Sequence, residues 1–276
     1  MNDLTEAIQI DSNAITLDGN GHAIKGNGYG TGIYVSEKSG ITVKNLTVTK
    51  FTIAIYLYCS SGNTITNNTA SENNWYGIYL DYLSDNNILT NNITNENQNF
   101  GIYIHTSNRN DLTNNIANAN IQYGIYLFAA SNNNSLTNNV VYGNRHGIYL
   151  FVSNNNIITS NIVANNYYGI DLHTSIINVL TGNVIIENNV GTVLLNSNNN
   201  EVFKNNFINN PTQVVVKSGD SNIFNLAAPV GGNYWSNYDT TTKGCNDANG
   251  DGFCDVSFIF NGGQDNLPWQ KDAWGR

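Results

Sequence analysis

Residues 124–161 read GIYLFAASNNNSLTNNVVYGNRHGIYLFVSNNNIITSN and carry the same pattern twice. The tetrad Gly-Ile-Tyr-Leu begins at Gly124 and again at Gly147, and a run of asparagines follows each copy. Such self-similarity at a fixed period is the signature of a solenoid, in which every copy forms one coil and packs only against its neighbours.

Related tetrads recur along the chain at intervals of 22 to 24 residues, and a second series of segments such as NTITNN from Asn63 runs in step with them. Each repeat holds short alternating stretches broken by Asn, Ser and Gly, which are strands rather than helices. The pattern predicts an all-β fold, a right-handed single-stranded parallel β-helix of about nine coils. We expect residues 1–228 to form this solenoid and residues 229–276, which leave the repeat, to cap its end.

Alternation along a strand assigns each tetrad position to one side of the coil. The Ile and the Leu point inward and form the core. The asparagine columns from Asn63 to Asn200 and from Asn68 to Asn205 are expected at corners, as structural ladders of stacked amides.

Composition excludes two classes of partner. The net charge is −9 and no cluster of Lys or Arg is present, so we expect no nucleic acid. No apolar run approaches the ~20 residues that span a bilayer, so we expect no membrane span. The first residues, MNDLTEAIQI, also lack the features of a signal peptide.

The outward positions of the tetrad strand are rich in aromatic residues. A row of tyrosines at strand spacing suits an extended polysaccharide, because a tyrosine ring stacks on the C–H face of a sugar. The competing interpretation is that stacked tyrosines only stabilise the sheet. The predicted substrate-binding residues are Tyr56, Tyr58, Tyr79, Tyr103, His105, Tyr126, Phe128, Tyr149 and Phe151.

A group of titratable residues interrupts this row. Asp171 and His173 fall on one coil, with Tyr149 and His146 on the coil before. A base, an acid and the neighbouring Arg145 are what β-elimination or C5 epimerisation of a uronic acid requires. Asp171, His173 and His146 are therefore candidate catalytic residues, against the alternative of a polar interruption in an aromatic row. Asp81 beside His105 is a second local pair.

The tail contains CNDANGDGFCD, whose oxygen-bearing positions match most of a calcium loop. Phe258 stands where such a loop carries its bidentate Glu. Cys245 and Cys254 flank the loop and are expected to form a disulfide, which leaves Cys59 free. The alternative interpretation of the loop is a polar turn that is closed by this disulfide and binds no calcium. The predicted calcium ligands are Asp247, Asn249, Asp251, the Phe253 carbonyl and Asp255.

The repeats, the opening ITLDGNGHAIKG and the tail segments GGNYWSNYD, DANGDGFCD and DNLPW resemble the NosD-like family of parallel β-helix proteins. The resemblance implies carbohydrate-binding and sugar-hydrolase type repeats in an exported protein, hence a secreted, periplasmic or cell-surface location. The family's copper role is not expected here, because the only methionine is Met1 and the four histidines are dispersed. The segment GIDLHTS also resembles the Asp-Pro-His motif of β-helical alginate epimerases.

Three functions remain open from the sequence. The first is a polysaccharide-binding β-helix that uses its tyrosine face. The second is a polysaccharide lyase or uronic-acid C5-epimerase centred on Asp171 and His173. The third is a structural surface-layer or adhesion element that self-associates.

Overall fold

Short parallel strands coil around one apolar core and line up into three sheets; the computed structural model describes residues 5–272. The first sheet has ten strands, which are Ile8–Ile10, Thr31–Ser36, Ile53–Tyr58, Tyr76–Asp81, Phe100–His105, Tyr123–Phe128, His146–Phe151, Tyr168–His173, Val190–Leu195 and Thr212–Lys217. The second has nine, which are Thr16–Asp18, Thr42–Lys44, Thr64–Thr66, Ile88–Thr90, Asp111–Thr113, Ser135–Thr137, Ile157–Thr159, Val179–Thr181 and Glu201–Phe203.

The third sheet is less regular. Its strands are Val140–Tyr142, Ile162–Ala164, Val184–Ile186, Asn206–Ile208 and Tyr234–Trp235, and single bridges at Thr69, Ile93 and Ile116 link it to the pair Ala23–Lys25 and Thr47–Thr49. One 3₁₀ turn occurs at Thr241–Lys243. Among residues 5–272, no helix has the length and apolar character needed to cross a bilayer. The predicted all-β parallel solenoid is confirmed, with ten strands in its longest sheet.

Register along the solenoid is exact, since each strand pairs with the strand one coil further on. Ile102 lies opposite Ile125, and Tyr103 lies opposite Tyr126. The inward Ile and Leu columns therefore stack, and Ile125 and Leu127 are fully buried. Burial of such side chains contributes about 1.5–3 kcal/mol each.

Asparagines at the corners bond from coil to coil. The side chain of Asn188 accepts hydrogen bonds from the backbone N–H and the amide of Asn166, at 2.9 and 3.0 Å. It donates to the carbonyl oxygen of Val163 at 2.9 Å and to Oδ1 of Asn210 at 3.1 Å. These bonds satisfy corner backbone groups that strands leave unpaired. The sequence pattern did not separate this third column, whose members are Asn73, Asn97, Asn120, Asn144, Asn166, Asn188 and Asn210.

The tail closes the C-terminal end of the core. Tyr234–Trp235 still pairs in parallel with Asn206–Ile208, so coil stacking extends past residue 228. An antiparallel hairpin, Phe258–Phe260 with Gly263–Asp265, follows. It packs Phe258 and Phe260 against the buried Trp235 ring, at centroid distances of 4.9 and 5.6 Å. Residues 273–276 of the predicted cap lie outside the described residues.

Asp265 is a buried carboxylate that holds this hairpin to the last coil. Its Oδ2 accepts hydrogen bonds from the indole N–H of Trp235 at 2.9 Å and the backbone N–H of Asn233 at 2.7 Å. Burial raises the pKa of Asp265 to about 6, although these donors act in the opposite direction. The group is therefore protonated at a higher pH than an ordinary aspartate.

Candidate functional site

The outer face of the first sheet carries three parallel columns of side chains. The residues immediately before the tetrad glycines form the first column, which sequence analysis missed. Its members are Tyr76, Phe100, Tyr123, His146 and Tyr168. The second column is Tyr34, Tyr56, Tyr79, Tyr103, Tyr126, Tyr149 and Asp171. The third is Ser36, Tyr58, Asp81, His105, Phe128, Phe151 and His173.

The rings in these columns stack on one another. Tyr126 lies 5.2 Å from Tyr103 and 4.8 Å from Tyr149, with 29° between the ring planes in both pairs. Tyr103 and Tyr149 are only 9% and 8% exposed. Strand spacing matches ring-stacking distance, so the flat faces contact neighbouring rings. Neighbouring rings therefore cover much of one another's flat faces along this column.

Asp171 replaces a tyrosine in the second column and organises a cluster of titratable groups. Its Oδ2 is 2.9 Å from Nδ1 of His146 on the preceding coil. Its Oδ1 is 3.0 Å from Nε2 of His173, two residues further along its own strand. The hydroxyl of Tyr149 is 3.1 Å from Nδ1 of His173. The structure thus brings together all the residues that the sequence predicted for this site.

The two imidazoles set the ionisation of Asp171. Burial alone would raise the pKa of Asp171, but the hydrogen bond from His146 and the close imidazole of His173 outweigh it and hold that pKa below its usual value. The carboxylate therefore stays ionised between the two imidazoles. The contact at 3.0 Å does not align as a hydrogen bond, so within residues 5–272 the Oδ1 atom has no aligned donor. Burial also raises the pKa of Tyr149, which keeps its hydroxyl neutral.

A cavity of about 320 Å³ opens over this cluster. His146, Asp171 and His173 line one side, and the exposed basic residues Arg145 and Lys217 line it as well. Lys217 lies two strands beyond His173 in the same column, opposite Leu195. Two coils of sequence separate it from the rest of the cluster, which is why sequence analysis did not include it.

A second Asp–His pair lies four strands away on the same sheet. Oδ1 of Asp81 is 2.8 Å from Nδ1 of His105, and Oδ2 accepts a hydrogen bond of 2.7 Å from the hydroxyl of Tyr56. The Tyr79 hydroxyl is 3.5 Å from the same His105 nitrogen. At a strand spacing of about 4.8 Å, this pair lies about 19 Å from Asp171.

The predicted calcium loop is a tight turn fixed by its own carboxylates. Asp247 accepts backbone N–H groups from Gly250 at 2.8 Å and Gly252 at 3.0 Å. Asp251 accepts the N–H of Phe253 at 2.9 Å, and Asp255 accepts the N–H of Ala248 at 2.9 Å. Cys245 and Cys254 form a disulfide at the base of the loop, and Cys59 is a free thiol.

A copper centre does not fit the described side chains. Within residues 5–272, no three His, Cys, Asp or Glu side chains converge on a point where a metal ion would be held. In the Asp171 cluster, the two imidazoles contact different oxygens of one carboxylate.

Two family models match the sequence. The model described as right handed beta helix region matches residues 6–151, and the model described as periplasmic copper-binding protein (NosD) matches residues 127–240. The first match supports the right-handed coil, and the pair bears out the resemblance drawn from the repeats and tail. A search of curated proteins gives no significant match.

Solved structures share the fold at low sequence identity. The mannuronan C-5 epimerase AlgE6 A-module of Azotobacter vinelandii has a TM-score of 0.69 and 15% identity, over 79% of this chain and 65% of that one. The periplasmic alginate epimerase AlgG gives 0.56 and 17%, over 73% and 62%. PfbA, a surface adhesin of Streptococcus pneumoniae, gives 0.53 and 14%, over 80% and 64%. The chain thus spans slightly less than two thirds of the length of each.

Proposed function

The chain belongs to the right-handed beta helix family, and from this premise we propose that it acts on an acidic polysaccharide. The reaction is removal of the C5 proton of a uronic-acid residue at the Asp171 cluster. Return of a proton to the other face gives C5 epimerisation, whereas loss of the 4-linked sugar gives β-elimination. The observation that carries the proposal is one buried carboxylate held between two imidazoles, in a cavity that Arg145 and Lys217 also line.

The cations supply the preference for an acidic sugar. Arg145 and Lys217 are exposed at the cavity, whereas four other basic residues of this acidic chain pair with carboxylates, namely Lys44, Lys50, Arg109 and Lys243. A uronate carboxylate between Arg145 and Lys217 would be attracted to both. Neutralising that carboxylate also makes the adjacent C–H easier to deprotonate, because charge develops on the carboxylate in the transition state.

The proton is handled by Tyr149 and His173. We assign the N–H to Nε2 of His173, because that nitrogen lies 3.0 Å from the Asp171 carboxylate, and Nδ1 is then the acceptor for the Tyr149 hydroxyl. Asp171 is then a positioning residue that fixes His173 and stabilises its charged form, as the aspartate of a Ser-His-Asp triad does. The Tyr149 oxygen takes the C5 proton as its own proton passes to Nδ1 of His173, whose side chain is 27% exposed. In β-elimination the same relay in reverse protonates the leaving O4, and in epimerisation water delivers the new proton to the opposite face of C5 while the imidazolium releases its extra proton to solvent.

The test is incubation with alginate and pectate in D₂O, followed by NMR for deuterium at C5 and by ultraviolet absorbance for unsaturated ends. We expect product with the natural protein, loss of at least 100-fold of the rate in Asp171→Asn, and an unchanged rate in Asp220→Asn, which removes an exposed carboxylate elsewhere. Absence of deuterium and of unsaturated product from both polymers would overturn the reaction, as would full activity of Asp171→Asn.

Binding without chemistry is the second candidate, and the continuous aromatic columns favour it. Ring edges and hydroxyls from Tyr103, Tyr126 and Tyr149 offer a polar and apolar track along the sheet. Retention of the protein on a polysaccharide without product would assign this function, in a binding or adhesion module. Loss of retention in the triple Tyr→Ser variant, with the fold intact, would locate it on this face.

Location and metal are part of the proposal. The Cys245–Cys254 disulfide supports a secreted, periplasmic or cell-surface protein, because disulfides persist in oxidising compartments. The loop from Asp247 to Asp255 is proposed to bind Ca²⁺ through carboxylates that accept backbone N–H groups in the structure and would turn toward the ion, and the alternating oxygen-bearing residues around Gly252 support this. Calcium there would stabilise the tail and would take no part in proton transfer.

A further inference from the structure

We propose that Asp81, His105 and Tyr82 form a second sugar site, one that binds the hydroxyl groups of a neutral sugar. The site lies on the same sheet as the Asp171 cavity but about 19 Å along the solenoid. It does not depend on the reaction proposed at Asp171.

Hydrogen-bonding capacity is the first argument. Asp81 contacts His105 with Oδ1 and accepts from the Tyr56 hydroxyl with Oδ2, and the Tyr79 hydroxyl also interacts with this carboxylate. Since a carboxylate has about four acceptor positions, it can still accept a bond from a ligand. The Asp81 side chain is 15% exposed and that of His105 is 30% exposed, so a ligand can reach both. A carboxylate beside an imidazole is able to accept from one sugar hydroxyl and donate to or accept from its neighbour.

An open aromatic ring beside this pair is the second argument. Tyr82 follows Asp81 at the corner where the strand ends, and it is 51% exposed. Its ring lies nearly parallel to that of Tyr58, at 15° and 6.4 Å between centroids. The equivalent corner positions on the adjacent coils are Cys59 and Thr106, which are smaller than a ring. Tyr82 therefore keeps free ring surface of the kind that the buried tyrosine column lacks, and such surface stacks on the C–H face of a sugar.

Charge separates the two sites. Asp81 repels an anionic sugar, and basic residues on neighbouring coils are engaged elsewhere: the Lys38 ammonium contacts the Ser36 carbonyl at 3.0 Å, and Arg109 pairs with Asp85 at 3.0 Å. At the Asp171 cavity, by contrast, Arg145 and Lys217 are among the lining residues. We infer that the second site takes a neutral sugar while the first takes a uronate.

Affinity electrophoresis in gels that contain xylan, mannan or mixed-linkage β-glucan tests this site. Tyr82→Asn removes the ring and retains a residue that tolerates the left-handed corner; Asp81→Asn removes the charge at constant size. Tyr142→Asn is the matched control, because Tyr142 is 49% exposed on the third sheet. We expect the dissociation constant for the retarding polymer to rise about tenfold in Tyr82→Asn and in Asp81→Asn, and to stay unchanged in Tyr142→Asn and Asp171→Asn.

The outcomes are distinguishable from those of the uronate reaction. Retardation by a neutral polymer that Tyr82→Asn weakens supports the second site even if alginate and pectate are not turned over. If no neutral polymer retards the natural protein, or if both Tyr82→Asn and Asp81→Asn bind as it does, the second site is refuted whatever the activity on uronates. Unchanged circular dichroism and thermal melting of each variant show that the fold is intact.

Discussion

Replacement of Asn188 by alanine tests whether the corner amides stabilise the solenoid. The side chain makes four hydrogen bonds, and the residue is fully buried. Its loss leaves the N–H of Asn166 and the carbonyl of Val163 without these partners. The Asn166 amide keeps a bond to the Val141 carbonyl, so it is not orphaned. Two orphaned backbone groups at about 1–3 kcal/mol each lower the free energy of unfolding by about 2–6 kcal/mol.

The neighbouring residue provides the control. Asn189 is exposed, and its replacement by alanine is expected to change the free energy of unfolding by less than about 0.5 kcal/mol. Urea unfolding followed by circular dichroism compares the two variants. Because a solenoid depends on contacts between adjacent coils, hydrogen exchange at the Asn166 amide should show where the stability is lost. Equal unfolding free energies for Asn188→Ala and Asn189→Ala would refute the reasoning.

Three further predictions concern the cap and the core. Burial raises the pKa of Asp265 to about 6, so the stabilisation by its protonated form is fully present below about pH 4 and is lost as the pH rises through 6. The free energy of unfolding is expected to fall by about 3 kcal/mol over this range. Urea unfolding of the natural protein and of Asp265→Asn from pH 4 to 7 measures this, and the same pH dependence in both proteins would contradict it. Chelation by EDTA is expected to lower the melting temperature of the natural protein but not that of Asp247→Ala, and identical melting with and without EDTA would remove calcium from the tail. Leu127→Ala, at a fully buried position, should cost about 2–5 kcal/mol in urea unfolding, and a cost near zero would show that the core collapses around the change.

The core and the Asp171 cluster were predictable because the repeat fixes the register. Once Tyr149 and Asp171 occupy the same tetrad position one coil apart, parallel pairing must place them side by side. The column of residues before each glycine was missed because its members differ in type, as Tyr76, Phe100 and His146 show. The repeated tetrad begins one residue later. The alternation pattern assigns a side but not a rotamer, so it could not show that the tyrosine rings cover one another.

Other features depended on contacts that a linear pattern does not encode. Lys217 joins Arg145 at the Asp171 cavity only because two intervening coils stack between their strands. The hydrogen bond between Asp265 and Trp235 could not be predicted either, because Asp265 lies on a hairpin outside the repeat. The disulfide between Cys245 and Cys254, in contrast, followed from two cysteines that flank one short loop.

In-register parallel pairing also means that the distance between two positions on one sheet is a whole number of strand spacings. Because every coil adds one strand spacing of about 4.8 Å, gene duplication or loss of a whole repeat between Asp81 and Asp171 would change their separation by that step and leave the local chemistry at each unchanged. Repeat gain or loss would therefore change the distance between the two proposed sugar sites in discrete increments, without altering either site.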